Sequence, residues 1–187
     1  AKGMGMDTRI GSKFLNPGPG YGGSCFPKDT NAMAYMARKY GVEMALIETT
    51  IRRNDERKIE MAERILFAAE GIAAPKIGVL GLAFKGGTDD CRESPAMEIV
   101  AALIERGAVV RAFDPKAMPT AKLLVGDAIE YASDACDAAK DADVVAILTE
   151  WDDFKAIDLK ALKNAVKSAK IVDLRNILNP DEARQAG

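Results

Sequence analysis

The sequence predicts an α/β fold: a doubly wound, mainly parallel sheet preceded by a helical segment with one long helix. Three observations carry this expectation. From about residue 75 onward, short apolar runs alternate with helical stretches, the rhythm of strand–helix–strand units. Between about Glu43 and Glu70, apolar residues recur at the 3.6-residue helical spacing. Gly71 and Pro75 separate the two regimes.

In chain order, residues 1-17 are loop-like, with Gly3, Gly5 and Gly11 around Asp7-Thr8-Arg9, then Lys13-Phe14-Leu15-Asn16-Pro17. Taken alone, Arg9 reads as a solvated surface residue. The stretch Gly18-Pro19-Gly20-Tyr21-Gly22-Gly23-Ser24-Cys25 follows, and its small residues let the backbone take positive φ angles and close against a bound molecule. Ala32, Met33, Met36 and Ala37 then fall at helical spacing, with Pro27 in a first-turn position. Cys25 is therefore expected at or just before a helix N-terminus. There the macrodipole and Lys28 favour thiolate over thiol, against an unperturbed pKa of about 8.5. It is a candidate nucleophile, and the alternative is an inert cysteine behind a glycine turn. Asp29 reads equally as a first-turn acid favoured by the helix dipole.

Gly41 interrupts the pattern before the long amphipathic run of Met44, Ile47, Ile51, Ile59, Ala62, Ile65, Leu66 and Ala69. Arg52, Arg53, Asp55, Glu56, Arg57 and Lys58 are expected on its solvated face, in i,i+4 pairs. Such a helix suits a spine between domains or across a dimer. Strands are expected over 76–82, 108–113, 143–148 and 170–173, and helices over 96–106, 134–140 and 158–168. Residues 1-71 then form a helical unit and 72-187 a Rossmann-like α/β domain.

The chain has 187 residues, a net charge of −2 and interspersed signs, so no basic footprint points to nucleic acid. No apolar run suggests a membrane span or signal peptide, and a cytoplasmic protein is expected. The three cysteines are widely spaced and odd in number, which argues against a disulfide framework. The absence of histidine removes Ser-His-Asp and Cys-His catalysis within the chain and most zinc sites.

In open parallel sheets, ligands bind beyond the carboxyl ends of the strands. Four such segments are candidates: 84–92, Asp114-Pro115, Thr149-Glu150-Trp151 and Leu174-Arg175-Asn176. Lys85 and Arg175 offer the cations a diphosphate needs. Asp114, Glu150 and Trp151 read as structural strand-end caps. Gly78-Val79-Leu80-Gly81 lacks the G-x-G-x-x-G spacing, so a nucleotide diphosphate held without that fingerprint is expected rather than a dinucleotide.

The run Ser24-Cys25-x-x-Lys28-Asp29 behind the glycine loop resembles the nucleotide-sugar dehydrogenases of the UDP-glucose/GDP-mannose dehydrogenase family. Gly81-Leu82-Ala83-Phe84-Lys85, Thr88-Asp89-Asp90, Arg92-Glu93-Ser94-Pro95 and Asp173-Leu174-Arg175-Asn176 extend that resemblance over nearly the whole chain. The resemblance implies catalytic roles for Cys25, Lys28 and Asp29. It implies substrate binding by Asn16, Pro17, Gly18, Pro19, Gly20, Tyr21, Gly22, Phe84, Lys85 and Arg175, with Arg9 reaching the site of a neighbouring subunit. NAD would contact Cys25, Phe26, Pro27, Lys28 and Arg92. The implied reaction oxidises UDP-glucose to UDP-glucuronate in two steps, through a Cys25 thiohemiacetal and thioester. Lys28 would stabilise the oxyanion and Asp29 would orient the water. A homodimer through the long helix is expected. So is a separate amino-terminal NAD domain, together with a lysine and an asparagine of the active site that this chain does not carry. The alternatives are a non-catalytic nucleotide-sugar binding or dimerisation module, and a related enzyme acting on UDP-N-acetylmannosamine or GDP-mannose.

Overall fold

The computed structural model describes residues 1–12 and 15–187; Lys13 and Phe14, part of the expected opening loop, lie outside the described residues. The helical segment comprises α1 (Lys2–Gly5), α2 (Phe26–Lys39) and α3 (Ala45–Ala68). The sheet domain follows as β1 (Lys76–Leu80), α4 (Pro95–Glu105), β2 (Val109–Phe113), α5 (Met118–Val125), β3 (Glu130–Tyr131), α6 (Ala135–Ala139), β4 (Val144–Ile147), α7 (Asp152–Lys155), α8 (Leu159–Ala165), β5 (Ile171–Asp173) and α9 (Pro180–Ala186).

The five strands are all parallel, in the order β3-β2-β1-β4-β5. β1 sits centrally, with Ile77 opposite both Val110 and Val144. The chain leaves β1 towards β2 and later returns past it to β4. Right-handed crossovers in the two directions put α4 and α5 on one face and α6 to α8 on the other. This is the doubly wound arrangement that the alternating pattern predicts. Helix α3 packs beside α4 and over β4 and β5, so the long helix bridges the opening segment to the sheet.

Ile77, Val79, Leu80 and the whole of β4 are buried, as continuous apolar runs in a covered parallel sheet must be. Ala62, Ile65 and Ala69 on α3 join Ile99, Val100 and Leu103 of α4 in the same core. Phe154 closes the other end of the core, edge-on to Phe113 with ring centroids 6.2 Å apart. Each large aliphatic side chain so buried contributes about 1.5–3 kcal/mol.

Several elements depart from expectation. Strand β3, helices α1, α5 and α7 and the terminal helix α9 are additional to those the pattern predicts. Elements of one or two turns, or a two-residue edge strand, carry too few residues for a period to show. Helix α9 had a local signal, since Asn179 caps it by accepting from Asp181 N–H at 2.9 Å ahead of Pro180. One side-chain expectation is corrected. Lys58 is not on a solvated face: it is 5% exposed and bonds Glu98 on α4 at 2.6 Å and Asp55 at 3.0 Å. Burial pulls its pKa down, but the two carboxylates outweigh burial and raise it. The remaining charges do form exposed pairs, such as Arg52 with Glu56 at 2.8 Å.

Candidate functional site

Cys25 is the N-cap of α2, exposed, with Asp29 N–H donating to its carbonyl at 2.9 Å. Lys28 and Asp29 both lie in the exposed first turn and pair with each other at 3.1 Å. Phe26 is exposed, and its ring lies tilted against Tyr21 with centroids 5.7 Å apart. Cys91 is buried and Cys136 half-buried, and all three thiols are free.

The loop before Cys25 runs between α3 and the strand ends. Asn54 on α3 grips the backbone of Tyr21, and Arg57 Nε donates to the Gly18 carbonyl at 3.0 Å. On the opposite side, Gly18 lies against the Arg175 guanidinium and Gly22 against the Glu93 carbonyl and Pro95. Gly23 has φ +83°, and a Cβ there would fall 2.7 Å from the Phe84 ring, so both backbone angle and space demand glycine. Pro19 is buried within this contact, whereas Asn16 and Pro17 are exposed.

Phe84 is positioned by the backbone just after β1. Leu82 and Ala83 N–H groups donate to buried Asp114 at 2.7 and 3.0 Å. Their carbonyls accept from Ser94 Oγ at 2.8 Å and Thr149 Oγ1 at 2.7 Å. Trp151 Nε1 also donates to Asp114, at 3.1 Å, so Asp114 and Trp151 act as strand-end braces. Glu150 does more than cap its strand: its carboxylate pairs with Arg175. Arg175 itself is set by Asp173, whose carboxylate accepts from Arg175 N–H at 2.9 Å and from the Ile177 and Leu178 N–H groups. The Arg175 side chain is 15% exposed, and its Nε is buried with no hydrogen-bond partner among the described residues. A buried guanidinium donor left open in this way fits an anionic oxygen.

Lys85 is exposed, its ammonium 5.3 Å from the centre of the Phe84 ring. Arg92 is clasped by Asp90, with Nη2 to Oδ2 at 2.7 Å. That bond raises the arginine's pKa, with a smaller contribution from Cys25, and holds the Asp90 carboxyl below its usual range. The structure thus brings Gly18, Gly22, Gly23, Phe84 and Arg175 together. It does not bring Arg9 to them: Arg9 pairs with Asp7 at 2.6 Å and is exposed. A cavity of about 370 Å³ lined by Leu162, Val166 and Ile171 contains none of the candidate residues.

Residues 78–180 match the UDP-glucose/GDP-mannose dehydrogenase family, UDP binding domain. The chain belongs to this family. Residues 1–56 match the central domain of the same UDP-glucose/GDP-mannose dehydrogenase family. Over its full length the chain is 48% identical to a UDP-glucose 6-dehydrogenase of Rhizobium meliloti (strain 1021) and covers 43% of it. It is 41% identical to UDP-glucose 6-dehydrogenase TuaD of Bacillus subtilis (strain 168), again over its full length and 41% of the relative. A UDP-glucose dehydrogenase structure from Pyrobaculum islandicum superposes over 98% of this chain and 40% of that one, with a TM-score of 0.82 and 36% identity. The chain therefore spans about two fifths of the length of these family members.

Asn54, Arg57, Lys58 and Glu150 went unread in the sequence as site residues. The first three share one helix face, but i, i+3, i+4 spacing of polar residues is also what a solvated face shows. Among the described residues, no group of His, Cys, Asp and Glu side chains is arranged to hold a metal ion, and no helix is long and apolar enough to cross a membrane.

Proposed function

We propose that this chain is the substrate-loop and UDP-binding portion of an NAD-dependent dehydrogenase that oxidises UDP-glucose to UDP-glucuronate, with Cys25 as nucleophile. The observation that supports this most is the seating of the Cys25 loop against Phe84 and Arg175, because the loop that ends in an exposed thiol packs through Gly18 on a largely buried cation with an open donor. A nucleotide diphosphate would place a phosphate oxygen at Arg175, with Lys85 as a second, exposed cation and Phe84 as an apolar wall. Glu150 would then act as the resident counter-ion that yields part of the guanidinium to the ligand.

The residues also fit one side of NAD. Phe26 offers an exposed flat face and Arg92 an exposed cation. Two NAD molecules, bound in turn, would supply the hydride-accepting nicotinamides, one for each oxidation. The chain's own residues manage the carbonyl between them. The Cys25 sulfur adds to the C6 aldehyde carbon, forming a C–S bond and an oxyanion that the Lys28 ammonium stabilises. After the second oxidation, water attacks the thioester while Asp29 takes its proton, the C–S bond breaks and the thiolate leaves.

The test is differential alkylation. Iodoacetamide near neutral pH should label Cys25 well before Cys91 or Cys136, and UDP-glucose should protect Cys25. With the chain completed by the portion of a full-length family member that it does not span, Cys25→Ser should abolish carboxylate formation, and Asp29→Asn should let a covalent thioester accumulate. Equal labelling of all three thiols, or full turnover by either variant, would leave a non-catalytic binding module as the better reading.

A further inference from the structure

We propose that Asn54 is a positioning residue that holds the Cys25 loop in its ligand-ready shape by acting as a hydrogen-bonding neighbour for the backbone of Tyr21. The inference rests on reading that loop as the substrate loop. Among the described residues, the stretch from Asn16 to Ser24 makes no backbone–backbone hydrogen bonds. Its backbone partners come from α3 instead. Asn54 Oδ1 accepts from Tyr21 N–H at 2.9 Å, Asn54 Nδ2 donates to the Tyr21 carbonyl at 3.1 Å, and Arg57 serves Gly18.

A primary amide carries one acceptor and one donor group at the spacing of a peptide, so Asn54 can pair with both polar groups of one residue as a strand neighbour would. Because Tyr21 offers one N–H and one C=O, the amide has only one satisfying orientation. Asn54 is 9% exposed, so losing either bond would leave a largely buried polar group without a partner. The grip lies directly before Gly22 and Gly23, the residues that dock on Glu93 and Phe84, and so it sets where Cys25 begins. One turn further along the same helix, Lys58 ties α3 to Glu98 on α4, which carries the loop's frame to the sheet. An aspartate at position 54 would still accept from Tyr21 N–H, but its carboxylate would repel the Tyr21 carbonyl.

The test compares Asn54→Ala and Asn54→Asp in the 187-residue chain. Losing both bonds should speed hydrogen exchange of the Tyr21 amide, read by NMR, about tenfold. It should also weaken UDP-glucose protection of Cys25 against iodoacetamide about tenfold. Exchange in β1 and β4 should stay unchanged. At pH 7 the aspartate variant, which keeps the acceptor for Tyr21 N–H but repels the Tyr21 carbonyl, should fall between alanine and the parent chain, and its Tyr21 protection should rise towards the parent's as the pH falls through its carboxyl pKa, because the protonated acid regains a donor. A contact that served only global stability would speed exchange in β1 and β4 along with Tyr21. Unchanged Tyr21 exchange in the alanine variant, or no recovery in the aspartate variant, would overturn the proposal. If UDP-glucose fails to protect Cys25 in the unsubstituted chain, the functional reading of the loop fails, while the exchange arm still decides the role of Asn54.

Discussion

Lys85 and Arg175 are both cations at strand ends, but they stand in different surroundings. The Arg175 guanidinium pairs with Glu150 and lies against Gly18 with one donor open, whereas the Lys85 ammonium lies near an aromatic face in solvent. Either residue replaced by Ala should weaken UDP binding by about 1.5–3 kcal/mol, the loss expected for a charge-assisted hydrogen bond. Arg175→Lys should restore little, because an ammonium cannot serve Glu150 and a phosphate as a planar fork does. Titration calorimetry with UDP measures both effects, and unchanged affinity in both alanine variants would move the site elsewhere. The thiols differ for a related reason. Burial, followed by Asp114, Asp90 and Asp89, pushes Cys91 up to about 11, which keeps it protonated during neutral-pH labelling.

At the level of elements, Asp143 joins the starts of two strands. Its carboxylate accepts from Lys76 N–H at the head of β1 and from Lys167 Nζ, each at 2.9 Å. The lysine bond first, then the backbone bond, hold its pKa below the ordinary value despite burial. A depressed folded-state pKa means stability that is present at neutral pH and lost as the pH falls from about 4 through the folded value. Asp143→Asn should therefore lower unfolding stability by about 1–2 kcal/mol at pH 7. The gap to the parent chain should close in acid, and urea unfolding at pH 7 and pH 3 checks this. A gap equal at both pH values would mean that the charge is irrelevant. Helices showed the same split between legible and hidden signals. The period of α3 was plain in its sequence, but the burial of Lys58 was not, because only the position of α4 supplies Glu98.

For the whole molecule, oxidation needs the nicotinamide carbon within about 3.5 Å of the sugar carbon, and hence a rigid cofactor site. Among the described residues, β1 does not lead into the tight strand-to-helix turn that holds a pyrophosphate. β1 ends at Leu80, α4 begins only at Pro95, and Gly78 is packed against the backbone of α6. The 187-residue chain with UDP-glucose and NAD should therefore form no NADH, while still binding UDP. Adding the separately expressed portion of a full-length family member that this chain does not span should restore NADH formation, followed by absorbance. NADH from the chain alone would show that it holds a complete cofactor site.

The sequence by itself determined the alternation of strands and helices, the long α3, the start of α2 at Cys25 and the strand-end placement of Phe84, Lys85 and Arg175. These follow from local rules, since periodicity, capping residues and glycine runs act over a few neighbouring residues. Tertiary structure alone decided that Asn54 grips Tyr21 33 positions away, that Lys58 meets Glu98 40 positions away, and that Glu150 holds Arg175. A polar side chain looks the same in sequence whether it faces water or a partner. Only the packing of α3 on α4, and of the glycine loop between α3 and the strand ends, removes the water and leaves these groups to satisfy one another.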